Sequence, residues 1–150
     1  MHALLFLPFL ARYADAALLL LRVVIGSFLI WGVWDNIESA ARMSEFVAFL
    51  TQQGFAMPEL MAPLSVWAQF IVGLAFIVGL FTRWAGLLCA INFIVAILMV
   101  DRLGGVRGAF PSLCLVLIGL YLATRGAGRF SADAWLERNR GTRSRDQETK

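Results

Sequence analysis

The chain has 150 residues, of which 60% are hydrophobic, and its mean hydropathy is +0.76. Soluble domains have about 45–50% apolar residues, and here the excess lies in long uninterrupted blocks, which excludes a soluble globular domain. The net charge of +3 does not indicate nucleic-acid binding, because the basic residues concentrate at the ends of the apolar blocks and after residue 124.

The apolar blocks are long enough to cross a bilayer. A transmembrane helix needs about 20 mostly apolar residues, and residues 16–34, 60–81, 84–100 and 108–124 meet this requirement. The opening segment is too short to span and contains Pro8 and Arg12, so we expect it to lie at the membrane interface or to extend the first span. The prediction is an all-α membrane protein, a four-helix transmembrane bundle, in a domain of residues 1–136.

The connection between the first and second spans is predicted to hold a short amphipathic helix. Ser39 or Ser44 is suited to cap its start, and Gly54 is suited to end it. Its apolar residues follow the i, i+3, i+4, i+7 spacing of a helix with one apolar face: Met43, Phe46, Val47 and Leu50.

The distribution of basic residues predicts the orientation. Ten of the 13 Lys and Arg residues lie on the side of the membrane that holds both termini, and three lie on the other side. Because positively charged residues stay cytoplasmic, we expect a multi-pass protein of a bacterial-type inner (cytoplasmic) membrane with both termini inside. Residues 137–150 lack apolar periodicity and are predicted to form a basic, disordered cytoplasmic tail.

Each predicted span carries a polar side chain at membrane depth. Because such side chains normally face the bundle interior, we expect them to meet, together with Trp67, in one ligand-binding site. In the alternative interpretation, Gln69 and Asn92 form hydrogen bonds that only hold the bundle together, and Arg22 reaches the cytoplasmic headgroups. At the helical rise per residue, the depths from the cytoplasmic boundary are about 9 Å for Arg22, about 12 Å for Asn92, about 16 Å for Ser27, and about 18 Å for Gln69 and Ser112.

A second group of candidates lies at the opposite end of the spans. Asp35 and Asp101 follow the first and third spans on the same side, where they are predicted to line an outer mouth with Trp31 and Trp34. In the alternative interpretation, the tryptophans only anchor the protein at the membrane interface.

No metal site and no intrinsic cofactor are predicted. The chain has one histidine and two cysteines, and the cysteines form no CxxC motif. Cys89 and Cys114 differ in depth by about 7 Å, which is too far for a disulfide. Both are therefore predicted to be free thiols.

Three stretches, "LLRVVIGSFLIWG", "FIVGLAFIVGLFTRWAGLL" and "GAGRFSADAWL", resemble the DoxX family of small four-span membrane proteins over about residues 18–136. The resemblance implies a four-helix membrane bundle linked to respiratory and sulfur redox chemistry. Some relatives are subunits of thiosulfate:quinone oxidoreductases, and others join oxidative-stress complexes with soluble partners. The chain departs from the family at four positions where members often carry His, Lys or Glu: Trp31, Asp35, Gln69 and Asp101.

The combined expectation is a non-catalytic subunit or anchor of a membrane-associated redox or respiratory assembly. Quinone, or another lipid-soluble compound, is the expected ligand in the bundle core. The expected partners are the lipid bilayer, a soluble or membrane oxidoreductase and, in a homo-oligomer, further copies of the chain. A small transporter or channel formed by an oligomer is the alternative.

Overall fold

The computed structural model describes residues 7–139, and these residues are almost entirely helical. Two 3-10 turns, Pro8–Tyr13 and Asp101–Gly104, precede the first and fifth helices. Residues 132–139 form a last helical segment, α6. The five longer helices are α1 (Ala14–Glu38), α2 (Ala40–Gln52), α3 (Pro58–Val78), α4 (Thr82–Met99) and α5 (Gly105–Arg125).

Four helices are long and apolar enough to cross a membrane: α1, α3, α4 and α5. This confirms the predicted all-α bundle of four spans with a short helix between the first and the second. The first span is continuous from Phe9 to Glu38, so the opening segment extends it rather than lying apart from it. Residues 137–139 belong to α6, and the rest of the predicted tail lies outside the described residues.

Successive spans run in opposite directions, which gives the bundle two ends. We call the end that holds the start of α1, the α3–α4 turn and the end of α5 the Arg22 end. The end that holds α2, the start of α3 and the α4–α5 connection is the Asp101 end.

The spans pack as two close pairs, α1 with α3 and α4 with α5. A Cβ added at Gly26 would lie 2.6 Å from the Gly73 carbonyl oxygen, and one added at Gly86 would lie 2.5 Å from the Gly119 carbonyl oxygen. Small residues of this kind let helix backbones approach closely in a bilayer, where the hydrophobic effect does not drive helices together. Each pair is therefore built around one glycine–glycine contact.

Helix α2 has the termini that its sequence predicts. The Ser39 hydroxyl oxygen accepts the Arg42 backbone N–H at 3.4 Å, which caps the start of the helix. Gly54 follows the last turn with a φ of +78°, a conformation that favours glycine. Ser44 is not the cap, because its hydroxyl donates to the Ala40 carbonyl one turn back.

The core lies where the four spans meet. Phe76 and Leu122 are completely buried there, and Cys89 is buried beside them. Cys114 is half-buried on α5, and both cysteines are free thiols, as predicted.

Candidate functional site

A cavity of about 380 Å³ lies at the Asp101 end of the bundle, between α2, α3 and α4. Helix α2 covers one side of it with its apolar face, which includes Phe46, Phe49 and the buried Leu50. Carbon atoms form most of the remaining wall, so the cavity suits an apolar molecule.

Three polar side chains are joined in this apolar wall. The Ser65 hydroxyl of α3 donates to Asn92 Oδ1 of α4 at 3.0 Å, and Gln69 Nε2 donates to the Ser65 oxygen at 3.3 Å. Ser65 and Gln69 share one face of α3 because they are four residues apart. The predicted meeting of Gln69 with Asn92 thus takes place through Ser65. Ser65 is not among the predicted site residues, although its i, i+4 spacing to Gln69 is a signal in the sequence that could have identified it.

The cluster retains unused donors. Asn92 Nδ2 has no acceptor among residues 7–139, and Gln69 Nε2 carries a second N–H group. These amide groups line the cavity. They can donate to an acceptor oxygen on a molecule held between α3 and α4.

The cavity is reached from the lipid side of the bundle. Leu64 and Ile91 line it, and their side chains are 58% and 59% exposed in the isolated chain. A molecule dissolved in the bilayer can therefore enter between α3 and α4 without crossing the core.

Asp101, at the start of the second 3-10 turn, also lines the cavity. Its carboxylate accepts a short hydrogen bond from the Ser112 hydroxyl of α5. Asp101 therefore lines the same space as Gln69 and Asn92, and not a separate outer mouth as predicted from the sequence.

Arg22 lies at the other end of the bundle, where it is completely buried. Its guanidinium donates to four backbone carbonyl oxygens: Phe76 at 2.9 Å, Ile77 at 3.3 Å, Ala127 at 2.5 Å and Phe130 at 3.0 Å. Arg22 does not line the cavity, so the expectation that it shares one site with Gln69 and Asn92 is wrong. The snorkelling alternative is also wrong, because the guanidinium is enclosed by protein.

The four acceptors explain how this charge is accommodated. Phe76 and Ile77 belong to the last turn of α3, whose carbonyls have no partner within the helix and carry the negative end of its dipole. Ala127 and Phe130 lie in the loop between α5 and α6. Arg22 therefore links α1, the end of α3 and this loop, which we call the Arg22 network.

The loop and α6 also hold the start of α4. Asp133 Oδ1 accepts the Phe81 N–H at 2.8 Å, and Oδ2 accepts the Thr82 N–H at 3.1 Å. The Asp133 N–H donates to the Gly79 carbonyl at 2.9 Å. Gly79 has a φ of +72°, and a Cβ there would lie 2.3 Å from Arg22 Nη2, so this turn requires glycine.

The remaining predicted site residues do not line the cavity. Ser27 is exposed: the buried face of α1 passes through Gly26, and one residue further is about 100° around the helix. Trp31 is 84% exposed, and Asp35 is exposed with its Oδ1 accepting the Asn36 N–H. Trp34 and Trp67 both contact Phe70, with ring centroids at 6.4 Å and 5.7 Å, on the outside of α3.

Comparison with known protein families identifies a matching family. The DoxX family model matches residues 17–102, which include the Ser65–Gln69–Asn92 cluster and Arg22 but not the loop before α6. No curated protein and no solved structure matches the chain. Within residues 7–139, no three His, Cys, Asp or Glu side chains are placed to hold a metal ion together.

Proposed function

The chain belongs to the DoxX family, and from that premise we propose that it is a non-catalytic subunit or anchor of a membrane redox assembly that binds a quinone. The observation that carries the proposal is the set of unused amide N–H groups on Gln69 and Asn92 in a predominantly apolar cavity. A quinone carbonyl needs such donors, and its ring needs apolar walls.

The residues present suit this ligand. Small-molecule sites have volumes of about 300–1,000 Å³, so the 380 Å³ cavity matches a single quinone ring rather than a ring with its whole tail. The tail would leave between Leu64 and Ile91, which face the acyl chains. A bound quinone would supply two-electron redox chemistry, and the chain would orient its carbonyl through Asn92 and Gln69 while α2 limits the access of water.

The membrane and its orientation form part of the same proposal. Arg12, Arg83 and Arg125 lie at the Arg22 end, and Arg42 and Arg107 lie at the Asp101 end. By the positive-inside rule, the Arg22 end is cytoplasmic in a bacterial-type inner membrane. An oxidoreductase partner that recognises the basic C-terminal residues would then dock on the cytoplasmic side.

Calorimetric titration of the purified protein in detergent with a decyl-substituted benzoquinone tests the proposal. Asn92→Leu removes the free donor while keeping the branching and the number of heavy atoms of the side chain, and we expect it to weaken binding about tenfold, the equivalent of about 1.4 kcal/mol. Ser27→Ala is the matched control, because it removes a polar group that does not line the cavity. Equal affinity of Asn92→Leu and Ser27→Ala would refute quinone binding at this site.

A further inference from the structure

A second open site lies at the Arg22 end. It is a charged cleft of about 570 Å³ bounded by the start of α1, the α3–α4 turn, the end of α5 and the segment that leads into α6. Three arginines line it, Arg83, Arg125 and Arg129, and so do three acidic residues, Asp15, Asp133 and Glu137. None of these charged residues lines the proposed quinone site, which lies further along α4 from Leu88 onward.

The acidic and basic groups of the cleft are not equally available. Asp133 uses both carboxylate oxygens on backbone N–H groups of α4, and Asp15 accepts the Arg129 N–H at 3.4 Å. In contrast, the side chains of Arg125 and Arg129 have no hydrogen-bond or ion-pair partner among residues 7–139. Glu137 is the one carboxylate of the cleft that is not bound to a backbone N–H group. The side chains left to bind a ligand are therefore mainly the cationic ones.

An apolar groove of about 400 Å³ continues from this cleft along α3 and α4. Phe81 and Trp84 line both spaces, so cleft and groove meet at these two rings. Trp84 is 73% exposed and lies where aromatic side chains mark the membrane interface. From Val78 to Ile71 the groove descends about 10 Å, which is most of the depth of one leaflet, about 15 Å.

We propose that cleft and groove together bind one anionic glycerophospholipid of the adjacent leaflet. The phosphate would lie against Arg125 and Arg129, and one acyl chain would lie in the groove beyond Trp84. Guanidinium groups bind phosphate through paired N–H donors, and the groove has the length and the apolar lining of a chain in one leaflet. Free phosphate offers the same anion but leaves the groove without an occupant.

Native mass spectrometry of the delipidated full chain, titrated with dioleoyl phosphatidylglycerol, tests this site. We expect one bound lipid whose dissociation constant rises at least tenfold in the Arg125→Gln/Arg129→Gln variant. The matched control, Arg42→Gln/Arg107→Gln, removes the same charge at the Asp101 end and is expected to change the constant less than twofold. Equal binding by the two double variants would show annular lipid only and would overturn the proposal.

Two further probes separate the sources of the anion. Glycerophosphoglycerol, which has the headgroup without the chains, and inorganic phosphate should both bind at least 100-fold more weakly than the lipid. Affinity for inorganic phosphate equal to that for the lipid would assign the cleft to a free anion instead. Quinone titration of the same variants should be unchanged, so failure of the lipid site and failure of the proposed function are distinguishable.

Discussion

Replacement of Arg22 by methionine tests the role that the structure assigns to this residue. The substitution keeps a long, flexible side chain but removes the donors to the carbonyls of Phe76, Ile77, Ala127 and Phe130. A hydrogen bond from a charged group contributes about 1.5–3 kcal/mol. Part of that gain is offset by the desolvation of the guanidinium, but each buried carbonyl oxygen left without a donor costs about 1–3 kcal/mol.

We expect Arg22→Met to insert into the membrane but to have a free energy of unfolding about 3–5 kcal/mol lower than wild type, because several buried carbonyls lose their donor. Equilibrium unfolding in mixed micelles with increasing SDS, followed by near-ultraviolet circular dichroism, measures this loss. Arg22→Lys should lie between wild type and Arg22→Met, because one ammonium cannot reach four separated carbonyls. Arg107→Met, at an exposed position of the Asp101 end, is the control.

A local measurement distinguishes the network from a general loss of stability. The N–H groups of Phe81 and Thr82 are held by Asp133, which reaches them only while the loop before α6 is docked. Their hydrogen exchange should accelerate in Arg22→Met before that of the α4–α5 pair. If Arg22→Met has an unchanged free energy of unfolding but no longer binds quinone, the structural role of the Arg22 network is refuted and Arg22 belongs to the ligand site instead.

Three further substitutions test the packing and the capping. Gly86→Ala should destabilise the α4–α5 pair by about 1–3 kcal/mol, because the added Cβ would meet the Gly119 carbonyl. Gly32→Ala is the control and should not destabilise the bundle, because its Cβ would meet nothing within 4 Å. Asp133→Ala should cost about 1–2 kcal/mol, typical of a lost N-cap, and detach α6 in limited proteolysis. Thr82→Val should leave the midpoint of SDS unfolding unchanged or raise it, because the Thr82 hydroxyl is buried without a hydrogen-bond partner among residues 7–139.

The architecture was predictable because the bilayer restricts what a chain can do. A run of about 20 apolar residues can satisfy its backbone in lipid only as a helix, so hydropathy alone located all four spans. Helix α2 was equally predictable, because Ser39, Gly54 and the apolar spacing between them are local signals in the sequence. The ends of the spans were predicted less accurately. Helix α1 continues to Glu38, beyond the predicted end at residue 34, because polar residues do not stop a helix once it leaves the hydrocarbon.

The candidate site was predictable only in part, because depth along a helix does not fix the direction of a side chain. Gln69 and Asn92 converge as expected, but Ser27 points outward since it is one position away from Gly26. The partners of Arg22 are backbone carbonyls, which have no signature in the sequence. Arg22 lies near the start of one span, and Gly79 lies in the turn after another span. Their contact becomes visible only when the helices are placed side by side.

Both proposed sites follow from the way the four spans are paired. Gly26 with Gly73 and Gly86 with Gly119 bring two pairs of backbones together too closely for any ligand. Helices α3 and α4 belong to different pairs and pack less closely, held at their short turn by Asp133 and by the Ser65–Asn92 hydrogen bond nearer the other end. The cavity and the groove both open between these two helices. Tightening that contact with larger side chains should therefore reduce quinone and lipid binding while leaving the α1–α3 and α4–α5 pairs intact.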